Sequence, residues 1–457
     1  MFGKKNRSAE AHSMTEGSPL RLLVLFSLPL MAGNLFQQLY TVVDTAIVGQ
    51  ALGVGALAAL GTADWIDWLF ISMVQGVTQG FSILVAQRFG ARDAAGLRRA
   101  VGCTVTLTVV FGLVLSLLAQ VLVGPLMALT RAPQEVRPIA GLYMRVLFVG
   151  IPVLTAYNLC AALLRAMGDS WTPLLAMVIA SLGNIVLDLL FVIVFHWGVA
   201  GAAAATVLAE GLSVVWCIGR VRRMRELAFD RADARPDAAM TRTLSGLAAP
   251  MVLQNVVISV GGMIVQAVVN TNAVVFIAGF TATSKLYGLL EMAAVAFGYA
   301  MTTYTGQNTG AGDGGRVRAG LRAGIVFSLI TSAVISLCMF LFGEYIVGLF
   351  IDQTDATGPE ALAIGFRYLK VMATFLPILY ILYTVRSAIQ GMGNTFIPMV
   401  SGVAELVMRV GAALLLPVLF GTFGILYAEP AAWLGADIIL IPGYFVTFRK
   451  VFGKTGR

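Results

Sequence analysis

Asp44, Asn184, Asp188 and Thr206 all lie inside long stretches of nearly uninterrupted apolar sequence. An ionisable side chain in such a stretch is costly, so by default it marks a functional site. Asn184 precedes Asp188 by one helical turn, which puts the two on one face of a helix. Thr206 closes the run Gly201-Ala-Ala-Ala-Ala-Thr206, a small-residue face that lets another helix approach closely. Two carboxylates, an amide carbonyl and a hydroxyl make an oxygen-rich cage. Such a cage suits a hard monovalent cation, or a proton carried on one of the carboxyls. The plainer alternative is that Asn184 and Asp188 hydrogen-bond across helices to hold a bundle together, and that Thr206 bonds to its own helix backbone.

Other polar groups in apolar stretches leave two readings open. Asp64 and Asp67, flanked by Trp65 and Trp68, either attract cations at the mouth of a cavity or are solvated beside interfacial tryptophans. Tyr40, one turn before Asp44, and Gln75 and Gln79, one turn apart, are candidate cavity-lining residues. Glu405 and Arg409, four apart, read as a neutralising pair. Glu291, with Lys285 before it, is a second candidate position. No enzyme motif is present. Gly310-Ala-Gly-Asp-Gly-Gly315 lacks the Gly-Lys-Ser/Thr ending of a phosphate loop, so Asp313, like Asp93, reads as a helix cap. His12 and His196 are the only histidines. Cys103, Cys160, Cys217 and Cys338 show no pairing or metal spacing and read as buried thiols.

The elements that must position these residues are membrane spans. Of 457 residues 58% are hydrophobic and only 12% charged, about half the charge of a soluble domain. At about 20 residues per span, twelve helices are predicted, at roughly 21–46, 56–85, 101–123, 139–165, 172–195, 198–219, 247–269, 276–305, 320–342, 363–389, 396–419 and 424–447. Lys and Arg decide their direction. Of the 31 basic residues, 23 fall in the termini and the even-numbered loops, while the odd-numbered loops hold Arg131 and Arg137. The positive-inside rule then places both termini in the cytoplasm. The polar start of the chain lacks the apolar core of a signal peptide and reads as a cytoplasmic tail. The net charge of +8 belongs to these loops and not to a nucleic-acid surface.

The chain also repeats itself. Gln87-Arg-Phe-Gly-Ala-Arg-Asp93 recurs as Gln307-Asn-Thr-Gly-Ala-Gly-Asp313, and Met167-Gly-Asp-Ser-Trp-Thr-Pro173 as Met392-Gly-Asn-Thr-Phe-Ile-Pro398. Pro29, Tyr143 and Pro152 match Pro250, Tyr368 and Pro377. The offset, near half the chain, gives an N-terminal lobe at 1–225, a cytoplasmic linker at 226–242 and a C-terminal lobe at 243–457. Six spans per half make these parallel repeats, a transporter architecture. The cage is not repeated. Val265, Arg409 and Ala413 stand at the positions matching Asp44, Asn184 and Asp188, which assigns the cation chemistry to the first half alone.

These residues carry a resemblance. Pro29, Leu39-Tyr-Thr-Val-Val-Asp44, Ala58-Ala-Leu-Gly61, both Gln-x-x-Gly-Ala-x-Asp loops and both Met-Gly-Asp/Asn turns resemble the multidrug and toxic compound extrusion (MATE) transporters along the whole chain. The resemblance implies an all-α integral membrane protein with two pseudo-symmetric six-helix bundles forming a V. It implies a monomer in the bacterial cytoplasmic membrane that exports amphipathic, often cationic, compounds against inward H⁺ or Na⁺, with no other cofactor. Asp44, Asn184, Asp188 and Thr206 match the DinF-like branch, whose cation site lies in the N-terminal lobe. Lipid-linked oligosaccharide flippases of the same superfamily are the alternative, and a membrane-embedded enzyme or receptor is a remoter one.

Overall fold

The computed structural model describes residues 13–129, 134, 136–351 and 357–453. His12, Lys4, Lys5, Arg7, Arg131, Lys454 and Arg457 therefore lie outside the described residues. Among the described residues there is no strand. Helices run over Pro19–Leu52 (α1), Val54–Gly90 (α2), Ala94–Leu129 (α3), Arg137–Val149 (α4), Ile151–Ala166 (α5), Trp171–Asp188 (α6) and Gly198–Val221 (α7). They continue over Ala238–Val269 (α8), Val274–Gly310 (α9), Gly314–Gly348 (α10), Gly358–Gly391 (α11), Phe396–Phe420 (α12) and Ala428–Phe452 (α13). In lipid every backbone polar group must be satisfied within the chain, which leaves helices as the only local solution for such apolar runs. Among the described residues eleven helical segments are long and apolar enough to cross a bilayer, and twelve if α4 with α5, bent by 48° at their junction, count as one broken span. The break falls at Gly150-Ile151-Pro152, where the proline cannot donate to the preceding turn. Its repeat partner α11 carries Pro377 inside one continuous helix.

The repeated turns adopt matching conformations. Ala91 N bonds to Gln87 O at 2.9 Å and Ala311 N to Gln307 O at 3.0 Å. The next residue is left-handed in both, Arg92 at φ 56° and Gly312 at φ 74°. The aspartate after it caps the following helix: Gly96 N donates to Asp93 Oδ1 at 2.9 Å, and Arg316 N to Asp313 Oδ1 at 2.8 Å. At the second repeated turn Gly168 and Gly393 take φ 82° and 86°. There Thr172 N donates to Asp169 Oδ1 at 3.0 Å and Ile397 N to Asn394 Oδ1 at 3.2 Å. The Gly96 amide, then Arg88, hold the Asp93 carboxyl below its ordinary range.

The chain divides into two compact units, 1–16 with 28–252 and 17–27 with 253–457. The division thus passes through α1 and α8. The polar break at 226–237 packs with the first unit, against α3. Thr106 Oγ1 donates to Ala234 O at 2.7 Å, Cys103 Sγ lies 3.6 Å from the carbonyls of Asp233 and Arg235, and Arg99 pairs with Asp237. Three of the four thiols are buried as expected, while Cys338 is exposed on α10.

The first unit's apolar core has two parts. One gathers Val48, Ile66, Phe70, Met144, Phe148, Val192 and Ala203. The other gathers Phe81, Val101, Leu164, Met224 and Leu227. α6 touches α1 on one side and packs against α7 on another, through small residues. A Cβ on Gly33 of α1 would lie 2.7 Å from Met177 Sδ of α6. Ser181 Oγ of α6 reaches Phe36 O of α1 at 3.4 Å, and Ser213 Oγ of α7 donates to Ala176 O of α6 at 2.6 Å. Close approach of this kind is what small residues permit between membrane helices.

Candidate functional site

That packing fixes a register. Along α1 the face toward α6 carries Gly33, Phe36, Tyr40 and Asp44. Along α6 the facing stripe is Met177, Ser181, Asn184 and Asp188, spaced four, three and four residues apart, which is one side of a helix. The antiparallel α7 brings Thr206 opposite Asn184. The four residues singled out from sequence therefore meet inside the first unit.

Asp188 is fully buried, Asn184 is 1% exposed and Asp44 9%. The carboxyls of Asp44 and Asp188 lie within hydrogen-bonding reach of each other. With its amide oriented to satisfy both ends, Asn184 donates from Nδ2 to Asp188 Oδ2 at 3.1 Å and accepts the Thr206 backbone N–H at 3.2 Å. The Thr206 hydroxyl donates to Ala202 O at 3.2 Å, the back-bonding expected of threonine in a helix. One oxygen on each carboxyl, Oδ1 of Asp44 and Oδ1 of Asp188, is buried with no hydrogen-bond partner. Buried polar atoms are nearly always satisfied, so two orphan carboxyl oxygens at one place need an explanation. A proton shared between the carboxyls, or a monovalent cation between them, would supply it. The α-helix ends at Asp188, and Leu189–Val194 continue as a π-helical turn, a distortion that recurs at functional sites.

The other candidates separate into two groups. Tyr40 is half-buried and lies within electrostatic reach of Asp44, Asp67 and Glu210. Asp67 is half-buried and near Glu210 of α7, while Asp64 beside it is exposed. Sequence reasoning missed Glu210. The signal was there, since it follows Thr206 by one turn, but the alanine-rich run around it reads as packing surface. Gln75 and Gln79 are half-buried. Between and beside them, Gly76 and Gly80 abut the backbone of Val252 and Ala248 on α8, with a Cβ falling 2.8 and 2.5 Å away. The face of α2 next to the glutamines thus packs on a helix.

In the second unit Glu291 of α9 is half-buried and accepts from Tyr383 Oη of α11 at 2.6 Å, while Lys285, earlier on α9, is exposed. Glu405 and Arg409 are 3.6 Å apart but do not form a self-contained pair: Glu405 engages Arg386 of α11, and Arg409 Nη2 reaches Glu429 at 2.9 Å.

Comparison with known proteins agrees with this architecture. The MatE family model matches residues 29–190 and 250–429. The chain is 30% identical over 384 residues to "Probable multidrug resistance protein YpnP" of Bacillus subtilis, covering 84% of this chain and 85% of that protein. It is 25% identical to "DNA damage-inducible protein F" of Escherichia coli, with 72% of each covered. A solved structure of a MOP superfamily transporter from Pyrococcus furiosus, described by the reverse polarity of its binding pocket, superposes with a TM-score of 0.88 at 23% identity over the whole of both chains. The chain belongs to the MatE family and is a multi-pass membrane transporter, not an enzyme.

Proposed function

We propose that this transporter exports small amphipathic or cationic compounds in exchange for inward H⁺ or Na⁺, with Asp44 and Asp188 as the coupling pair. The observation that carries the reading is the meeting of two buried carboxyls from α1 and α6, each with an orphan oxygen. Loaded with a proton or cation, the pair is neutral enough to stay closed. Unloaded, two like charges at hydrogen-bonding reach repel, and α1 moves relative to α6. Asn184 holds Asp188 in place through one bond and α7 through another. Coupling follows if the exported compound and the cation favour different arrangements of these helices. Both termini face the cytoplasm in this reading, the protein acts as a monomer, and no cofactor beyond the coupling ion takes part.

A flippase for a lipid-linked pyrophosphate needs cationic groups free to hold phosphate. Arg386 and Arg409 are both engaged by carboxylates, which argues for the export reading. The test is dye efflux from proteoliposomes under an imposed pH gradient, with and without Na⁺. Efflux driven by either ion supports antiport, and efflux indifferent to both overturns it.

A further inference from the structure

The second unit buries a chain of charges that the coupling reading does not use. Arg386 of α11 pairs with Glu405 of α12. Glu405 also lies 3.6 Å from Arg409, and Arg409 reaches Glu429 of α13 at 2.9 Å. The four side chains are between 5 and 16% exposed. Two guanidiniums and two carboxylates balance, as buried charges must.

Asp437 lies against this balanced chain. It is 7% exposed, and its Oδ1 is buried with no hydrogen-bond partner. The register of α13 on α12 explains the placement. A Cβ on Gly435 would meet Met408 at 2.5 Å and Ala404 O at 3.5 Å, and one on Gly443 would meet Ile397 at 2.6 Å. This sets Asp437 level with Ser401 and Glu405. Arg386 from α11 and Glu405 from α12 are the charged groups that act on it, with Arg409 and Glu429 one link further along the chain. Both arginines are already engaged, so an ionised Asp437 would be a buried charge without a dedicated partner, which is costly.

We infer that Asp437 is a proton-binding carboxyl of the second unit, a titrating site separate from Asp44 and Asp188. A proton suits the place better than a metal cation, because a hard cation asks for many oxygens and the Arg386 guanidinium beside this carboxyl repels it. When the Asp437 O–H bond breaks and its proton passes to water, the new carboxylate competes with Glu405 for Arg386. The chain of ion pairs must then redistribute across α11, α12 and α13. The second unit thereby acquires a protonation-dependent arrangement of its own.

The experiment uses the full-length protein in liposomes and infrared difference spectra between acid and alkaline pH. A buried protonated-carboxyl band is expected in wild type, retained in the Asp44→Asn/Asp188→Asn protein and lost in Asp437→Asn. An unchanged spectrum in folded Asp437→Asn overturns the inference. If that variant does not fold, wild-type protein is treated with dicyclohexylcarbodiimide, which modifies protonated carboxyls in apolar surroundings. Adducts mapped to Asp437 should fall about tenfold per pH unit above the titration midpoint, and absent or pH-independent labelling there overturns the inference. Since the Asp44→Asn/Asp188→Asn protein keeps Asp437, the coupling reading and this one fail separately.

Discussion

Replacing Asp188 with asparagine removes one charge from the pair while keeping shape. Asp188 is fully buried, and its Oδ2 accepts from Asn184 at 3.1 Å. An asparagine there still offers a carbonyl oxygen to Asn184 and turns its own NH₂ toward Asp44. The bond count is preserved, so the stability change should stay within about 1 kcal/mol. Coupling should be lost. One net inward charge at about 100 mV is worth about 2.3 kcal/mol, which supports roughly a 50-fold substrate gradient per charge moved. With the pair unable to load and unload, that gradient collapses toward unity. The assay is dye accumulation in vesicles of defined orientation at a fixed membrane potential, normalised to protein amount, with thermal unfolding of the purified variant alongside. Asp44→Asn should behave alike, and the double variant should be no worse than either single one, because residues acting as a unit are not additive. If Asp188→Asn keeps more than half of the wild-type gradient, Asp44 and Asp188 are not the coupling pair.

Three further outcomes are expected. Arg92 occupies the left-handed position that Gly312 fills in the other repeat, so Arg92→Gly should stabilise by up to about 1 kcal/mol. The Arg92–Glu16 contact that it gives up, 3.5 Å and highly exposed, is worth little, and a fall in thermal midpoint would contradict the reasoning. Asp93 is held below its ordinary value by the Gly96 amide and Arg88. Its cap is therefore fully formed above pH 3.8, the ordinary value, and is lost as pH falls through the lower folded value. Hydrogen exchange at the start of α3 should rise in that acid window in wild type and show no such step in Asp93→Asn. Arg386→Met leaves Glu405 buried without its close partner and should cost about 3–5 kcal/mol, whereas Arg386→Met/Glu405→Leu should recover part of that loss. A double variant as unstable as the sum of the two single variants would show that the pair is not coupled.

Much of the fold was legible because lipid leaves few options. Twelve apolar runs could only be helices, and the two repeated motifs could only be turns, since both need a left-handed residue and a capping oxygen at fixed offsets. The convergence of these side chains was legible for a related reason: Asn184, Asp188 and Thr206 are polar in apolar surroundings, and their periods put them on facing stripes. What stayed hidden depended on partners far along the chain. The spacing of Glu405 and Arg409 suggested a closed pair, yet a helix offers a carboxylate several neighbours, and Arg386, nineteen residues earlier, wins one oxygen of Glu405. The polar composition of 226–242 suggested a cytoplasmic linker, and only the carbonyls that Asp233, Ala234 and Arg235 present to Cys103 and Thr106 reveal that part of it is docked. Glu210 was masked by its small neighbours. The π-helical turn after Asp188 has no proline or glycine to announce it. The repeat thus describes a scaffold that was copied and then used unequally. Where the first half has two carboxyls in reach of each other, the second has Arg409 and Ala413, and two of its buried acids, Glu405 and Glu429, are answered by arginines. In the reading proposed above, a proton bound by the second unit would be felt through rearranged ion pairs, and one bound by the first through the repulsion of Asp44 and Asp188 themselves.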